Sequence, residues 1–382
     1  MTAVTRMLPS PEAEALLGLT RELVDGELLP RVDATEAASE FPRELFRTLG
    51  KAGLLGLPYA EELGGGGQSY EIYLQVLEEL ARGWAGVAVS VSVHTLACFP
   101  LAQWGSDEQR TRWLPDMLGG ELLGAYCLSE AHSGSDAAAL STRARLDGDA
   151  YVVDGAKAWV THGGHADFYN LMVRTGGPGP SGISCLLADA STPGLSALRP
   201  ERKMGMRPSV TATVALDGAR VPADRLLAGE GQGFAIAMSG LDSGRLGIAA
   251  CAVGLAQAAL ELAVGYARER RQFGKPIGQF QGITFLLADL ATQVEAARSL
   301  YLSAARLKDA GRPYGPQASM AKLFATDTAM RVTTDAIQVL GGAGYVEDHP
   351  AERFFREAKI MQIFEGTNQV QRLVIGRSLV SG

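Results

Sequence analysis

The chain has no pair of cysteines at metal-binding or redox spacing: Cys98, Cys127, Cys185 and Cys251 stand far apart, and none belongs to a C-x-x-C motif. Each lies among apolar neighbours, which predicts buried free thiols and suits a reducing compartment. Massed positive charge is also missing. The formal net charge is −7 and the Lys and Arg residues are scattered, so neither a nucleic-acid footprint nor a polybasic membrane surface is expected. The segment nearest in length to a membrane span, "LGIAACAVGLAQAALELAVGYA" at 246–267, is interrupted by Gln257 and Glu261 and dominated by small residues, which predicts a tightly packed bundle helix and no membrane insertion. The N-terminal "MTAVTRMLPSPEAEALL" lacks the apolar core of a secretory signal, so the cytoplasm is the expected address. "ELGGGGQSY" has four glycines but neither a following Lys-Ser/Thr pair nor a strand-to-helix fingerprint; it reads as a turn.

What is present is a folded composition, 47% hydrophobic and 20% charged over 382 residues, enough for two or three compact units. Three regions are expected. Residues 1–119 read as an N-terminal α-helical domain, in which Ser10 and Pro11 form an N-cap and first helical position and Pro42 opens a further helix. Residues 120–230 read as a middle β domain: Asp-Gly pairs at 147–148 and 154–155 are hairpin chemistry, and further strands are expected at 183–189 and 211–216. Residues 231–382 regain helical periodicity in four long segments, 233–267, 280–310, 316–340 and 351–379, the pattern of a four-helix bundle. The cleft where three such units meet is a favoured small-molecule site.

Several stretches carry polar chemistry, each with a bland alternative. "YCLSEAHSGSD" at 126–136 offers hydroxyls and unencumbered N–H groups to phosphate or oxygen acceptors, or is a polar turn. "WVT" at 159–161 puts an aromatic plane and a hydroxyl on one strand face, although by pattern alone a core-filling Trp is favoured. "LDSGR" at 241–245 spaces Asp242 and Arg245 one helical turn apart, as an ion pair or as a grip on a polar ligand. "ERRQFGKPIGQFQ" at 269–281 is a local cationic loop, suited to a pyrophosphate or simply solvated. "QVLGGAGY" at 338–345 ends a helix in glycines that admit a close backbone or ligand. In "EAKIMQIFEGTNQVQRLVIG", 357–376, a lone acid, Glu365, falls at the break between two apolar helical segments, where a catalytic base would be placed.

In their joint order these stretches resemble the acyl-CoA dehydrogenase family, from about residue 40 to the C-terminus, with the short- and medium-chain branch most similar in the bundle. The resemblance implies a mainly α fold with a central β domain: N-terminal helical domain, β-barrel, C-terminal four-helix bundle. It also implies non-covalent FAD and a homotetramer. Carried over by position, Tyr126, Cys127, Leu128, Ser129, Glu130, Gly134 and Ser135 would line the flavin, with Ser135 also near the CoA portion. Trp159, Val160 and Thr161 would flank the ring, the Thr161 hydroxyl reaching N5. Arg270, Gln281, Gln338, Val339, Leu340, Gly341 and Gly342 would serve the pyrophosphate and adenine of a flavin held mainly by a neighbouring subunit, and Thr367, Asn368 and Gln369 would complete the site. Asp242, Ser243, Gly244, Arg245 and Gly366 would meet the acyl-CoA.

Glu365 matches the base of the family's main branch; the alternative base position of other members is Gly244 here, which cannot serve. The implied chemistry is α,β-dehydrogenation to trans-2-enoyl-CoA, with the α-proton passing to Glu365, the β-hydride to flavin N5, and electrons to an electron-transfer flavoprotein. The thioester oxygen would lie against the Glu365 N–H and a ribityl hydroxyl. Burial should raise the pKa of Glu365 and suit it to a weakly acidic carbon. Ala131, His132 and His162 depart from the family pattern. All three are tolerated variation or, alternatively, an imidazole of the two histidines lies near the flavin and titrates close to neutral pH. Two other functions stay open on the same scaffold: an oxygen-using acyl-CoA oxidase, and a non-catalytic flavin-fold assembly partner.

Overall fold

The computed structural model describes residue 4 and residues 6–380. Residues 1–3, 5, 381 and 382, which belong to the expected outer domains and, at the N-terminus, to the stretch read as lacking a signal, lie outside the described residues. The first third is helical: α1 (Pro11–Leu23), α2 (Val32–Ala38), α3 (Arg43–Lys51), α4 (Tyr70–Trp104) and α5 (Asp107–Leu118). α1 begins as its sequence dictates, the Ser10 side chain accepting from the Ala13 N–H with Pro11 in the first turn. α4 is two helices in series. Trp84 has non-helical φ −154 and ψ 100, and its indole N–H donates to Glu36 Oε1 at 3.0 Å, so the kink is held by a buried side chain.

The β domain comprises β1 (Gly124–Cys127), β2 (Arg143–Asp147), β3 (Ala150–Thr161), β4 (Phe168–Arg174), β5 (Ile183–Asp189), β6 (Leu195–Ala197), β7 (Thr211–Pro222) and β8 (Leu226–Leu227). The expected central β domain is one eight-stranded sheet whose pairing path runs β6-β7-β3-β2-β4-β5-β8, with β1 parallel to β4 off that path. The Asp-Gly pair at 147–148 does join β2 to β3. The pair at 154–155 does not turn the chain. It sits inside β3, where the register against β7 shifts between Val153 and Gly155, and a Cβ on Gly155 would lie 2.6 Å from Thr142 Oγ1. Close approach by Thr142, just before β2, and not a hairpin, explains that glycine.

The last third holds α6 (Gly233–Glu269), a small hairpin of β9 (Arg271–Gln272) and β10 (Lys275–Pro276), then α7 (Gln281–Asp309), α8 (Gly315–Leu340), α9 (Ala351–Met361) and α10 (Asn368–Val380). The stretch 351–379, expected as one helical segment, is thus two helices separated by a non-helical connection. All four cysteines are buried and free. α4 and α6 are long and apolar enough to cross a membrane, but 94% and 83% of their most apolar windows are buried inside the fold, which makes them core helices.

The small residues of α6 let its backbone approach α4. A Cβ on Gly247 would fall 2.2 Å from Ser92 Oγ, and one on Gly254 would fall 2.2 Å from the Glu78 carbonyl oxygen. Because the second obstacle is backbone, no rotamer change relieves it. Gly254→Leu is therefore expected to force the two helices apart and cost about 1–3 kcal/mol or more, lowering the melting temperature. An unchanged melting curve would contradict the packing described.

Candidate active site

Two elements bring the central residues together. α6 carries Asp242, Ser243, Gly244 and Arg245, and the connection between α9 and α10 carries Glu365 and Gly366. That connection closes on itself through the Asn368 N–H, which donates to the Gln362 carbonyl at 3.0 Å, and the Phe364 N–H, which donates to Ile360 at 3.1 Å. Inside it Glu365 has φ 53 and Gly366 has φ 84. A left-handed conformation is ordinary for glycine but for glutamate costs on the order of 1 kcal/mol or more, so the surroundings must hold it. They do so through side chains: Gln371 Nε2 donates to the Glu365 carbonyl at 3.2 Å and the Gly366 carbonyl at 2.9 Å, and Lys322 Nζ donates to the Gly366 carbonyl at 2.9 Å.

This backbone aims the Glu365 carboxylate at α6. The residue keeps some exposed surface, but its Oε2 is buried and makes no hydrogen bond among the described residues. A Cβ on Gly244 would lie 2.8 Å from Oε2 and 3.4 Å from Leu96 Cδ2, so the carboxylate occupies room that only a missing side chain provides. Burial pushes the Glu365 carboxyl up to about 7, against the opposing pull of Arg245 and Lys322. A carboxylate so placed, unpartnered and half-ionised near neutral pH, can take a proton from a weak acid. Arg245, buried beside it, pairs with Asp242 one turn earlier and leaves its Nε without a partner. Burial also raises the Asp242 carboxyl, despite the nearby Arg245 and Lys308.

Gly244 also lines a narrow cavity of about 60 Å³ between α4 and α6, walled by Tyr59, Tyr70, Tyr73, Leu96, Phe99 and Ser243 among others. Two of the tyrosine hydroxyls there are occupied: Tyr59 donates to the Thr95 carbonyl and Tyr70 to the Ser243 carbonyl, at 2.5 and 2.9 Å. A larger cleft of about 820 Å³, lined by Phe41, His165 and the 199–207 segment, includes neither Glu365 nor Gly244. Size does not locate the chemistry here.

The residues expected around a flavin fall into two groups. Trp159 is 57% exposed and left-handed at φ 56, at a second register shift of β3 on β7. The core-filling role that its pattern favoured is therefore excluded, and a flat aromatic surface stays uncovered beside the half-buried Thr161. Gly134 and Ser135 are exposed, Ser129 and Tyr126 half-buried. These groups fit an isoalloxazine: an open aromatic face, hydroxyls, and a glycine with nothing within 4 Å of its Cβ position. Cys127, Leu128 and Val160 turn their side chains into the core and could offer only backbone. Arg270, Gln281, Gln338, Gly341 and Gly342 are exposed on the bundle, with Val339 and Leu340 buried beside them. Thr367 is half-buried and Gln369 exposed, but Asn368 is buried and bonded to Lys322, Thr326 and Asp327.

Glu130 is engaged within the fold. Burial would raise its carboxyl, yet Lys157, with Nζ at 2.7 Å, and the Ser141 and Thr142 N–H groups hold it down at about 2. Lys157, Lys322 and Gln371 were not anticipated as contributors; a lone lysine on an apolar face, as in "GAKAWV" and "SMAKLFA", was the available signal. His162 departs from the titrating alternative. Fully buried His162 donates from Nδ1 to the Gly124 carbonyl at 2.8 Å, packs against Phe41 and Phe46, and is pushed by burial down to about 3. It stays neutral near pH 7. His132 is exposed, 3.6 Å from Glu130.

Comparison with known proteins shows the family. Family models described as acyl-CoA dehydrogenase N-terminal, middle and C-terminal domains match residues 10–121, 125–219 and 231–380. An acyl-CoA dehydrogenase of Bacillus subtilis (strain 168) is 44% identical over 366 residues, 95% of this chain and 97% of that protein. The mitochondrial short-chain specific acyl-CoA dehydrogenase of Bos taurus is 42% identical over 97% of this chain and 90% of its own. Butyryl-CoA dehydrogenase from Megasphaera elsdenii superposes with a TM-score of 0.96 at 40% identity, covering 98% of this chain and all of that one (100%). A chain from a structure of the electron transferring flavoprotein of Acidaminococcus fermentans gives 0.97 at 40% identity over 99% and 100%. A glutaryl-CoA dehydrogenase from Mycobacterium smegmatis in complex with FADH2 gives 0.92 at 30% over 98% and 95%.

The buried carboxyl also makes a thermodynamic prediction. Glu365 rises from an ordinary 4.5 to about 7 on folding, so its stabilising contribution is full below about 4.5 and is lost as pH climbs through about 7. Glu365→Gln, which cannot ionise, should melt above the parent by a margin that widens between those two values and then levels. A margin independent of pH would show that the carboxyl is not desolvated.

Proposed function

The chain belongs to the acyl-CoA dehydrogenase family, and from that membership we propose that Glu365 is the base that removes the α-proton of an acyl-CoA thioester, yielding a trans-2-enoyl-CoA. The observation that carries this reading is the buried, unpartnered Glu365 Oε2 against the bare Gly244 backbone, at the edge of the α4–α6 cavity. An acyl chain entering that cavity passes Gly244 and meets the carboxylate. Its methylenes would further exclude water and strengthen the carboxylate as a proton acceptor.

The Glu365 backbone N–H is the proposed donor to the thioester oxygen, where enolate charge gathers as the proton leaves. Arg245 is the proposed polar anchor for the CoA portion, aided by Asp242 and Ser243; its unpartnered Nε supports that role. FAD, when bound, supplies the acceptor for the β-hydrogen. Trp159, Thr161 and the exposed 129–135 loop would hold its ring system, with Thr367 and Gln369 closing the edge. Arg270, Gln281 and the 338–342 turn would reach the flavin of a neighbouring subunit in a homotetramer, for which their exposure on the bundle is the support. Electron-transfer flavoprotein is the proposed acceptor, consistent with the Acidaminococcus neighbour, and the cytoplasm the proposed location. The narrow cavity and the short-chain relatives favour a short acyl group.

Anaerobic titration with butyryl-CoA tests this directly. The parent should lose its oxidised-flavin absorbance, while Glu365→Gln should bind the thioester and stay yellow; bleaching by the variant would remove Glu365 from the chemistry. Gly244→Ala, which pushes a methyl against Oε2, should lower kcat by about tenfold to a hundredfold. Peroxide released in air during turnover without an added acceptor would favour the oxidase reading instead.

A further inference from the structure

Lys322 has no exposed surface, lies in the interior of α8, and plays no part in the reaction as written above. Burying an amine is costly, and a structural role alone would be met by a neutral residue of similar size. Its contacts show what a cation does here. Nζ donates to the Gly366 carbonyl and to Asn368 Oδ1, each at 2.9 Å. Asn368 in turn donates to Thr326 Oγ1 and Asp327 Oδ1, and Asp327 also receives Gln362 Nε2 from the start of the same connection. Both ends of the segment carrying Glu365 are therefore tied to α8 through one network, buried at Lys322 and Asn368 and half-buried at Asp327 and Gln362.

We propose that Lys322 is a positioning residue for the base: by holding the Gly366 carbonyl and Asn368, it keeps the left-handed Glu365–Gly366 turn in place, so that the carboxylate stays against Gly244. The proposal rests on the reading of Glu365 as the base. Without the ammonium, the Gly366 carbonyl retains only the Gln371 amide, and a turn that a glutamate rarely adopts can relax toward ordinary φ. The charge acts in the same place. Lys322 and Arg245 on α6 are the cations that favour ionised Glu365 against its burial, while burial draws the Lys322 ammonium down to about 7. Asp242 on α6 pairs with Arg245, Asp327 on α8 with Arg372 from α10, and Tyr70 on α4 and Tyr126 on β1 are neutral near pH 7, burial having raised both hydroxyls. Loss of the Lys322 charge should thus raise the pH at which the base becomes competent.

The test isolates proton removal from hydride loss. Acetyl-CoA has α-hydrogens and no β-carbon, so washout of deuterium from its labelled methyl group on the holoenzyme, followed by mass spectrometry, reports the base alone. Lys322→Met should slow washout by about tenfold or more with little change in acetyl-CoA affinity, and move the rising limb of the pH profile upward. Asn368→Ala, which keeps the amine and removes one of its anchors, should slow it less, in the same direction. Glu365→Gln is the control: washout persisting there would refute the base itself. With washout abolished in that control, an unchanged rate and pH profile in Lys322→Met would overturn the positioning role. If Lys322→Met does not fold, Asn368→Ala decides, a parental rate overturning the proposal and a slowed one supporting it.

Discussion

Everything at the candidate site depends on one close contact, the Glu365 carboxylate against the side-chain-free surface of Gly244. The contact requires α4 and α6 to approach through small residues, since these two helices wall the cavity that ends at Gly244. It also requires the helical run after α9 to break, because an unbroken helix would carry residue 365 along its own axis. The break costs intrahelical hydrogen bonds and a left-handed glutamate, and Gln371 and Lys322 offset that cost by taking up the freed carbonyls.

Two glutamates, Glu130 and Glu365, stand in opposite states, and the contrast bears on the chemistry. Glu130 receives an ammonium, two backbone N–H groups and a hydroxyl, and stays ionised down to about 2. Glu365 has two cations nearby but no donor on Oε2, and burial takes it to about 7. The satisfied Glu130 carboxylate is a strut for the loop that carries it, whereas the Glu365 carboxylate is free to take a proton. The difference lies in the donors within reach and not in residue type. In the proposed role, stability is given up at Glu365 for reactivity, which is the usual bargain at a reacting group.

The broad layout was legible because it rests on local signals. The Ser10 cap, the 147–148 hairpin, the strand at 183–189 and the apolar, small-residue character of α6 each follow from a few neighbouring residues. Where partners are distant in sequence, reading the chain alone failed. Gly155 looks like a turn residue until Thr142, just before β2, is seen against it, and Trp159 looks like core until the bulge turns it outward. His162 follows Thr161 directly yet points away, captured by a carbonyl on β1. The placement of Glu365 at a break could be read from its neighbours, but the lysine that steadies the break lies 43 residues upstream, from 322 to 365, and only the fold joins them.

The central claim is geometric: the Glu365 carboxylate, and no other base, faces the carbon that loses a proton. A crystal structure of the holoenzyme with a short-chain acyl-CoA analogue bound tests it most directly. The account predicts a Glu365 carboxylate oxygen within about 3.5 Å of C2, with the acyl chain between α4 and α6 beside Gly244. A carboxylate turned to solvent, or C2 facing a different ionisable side chain, would contradict it.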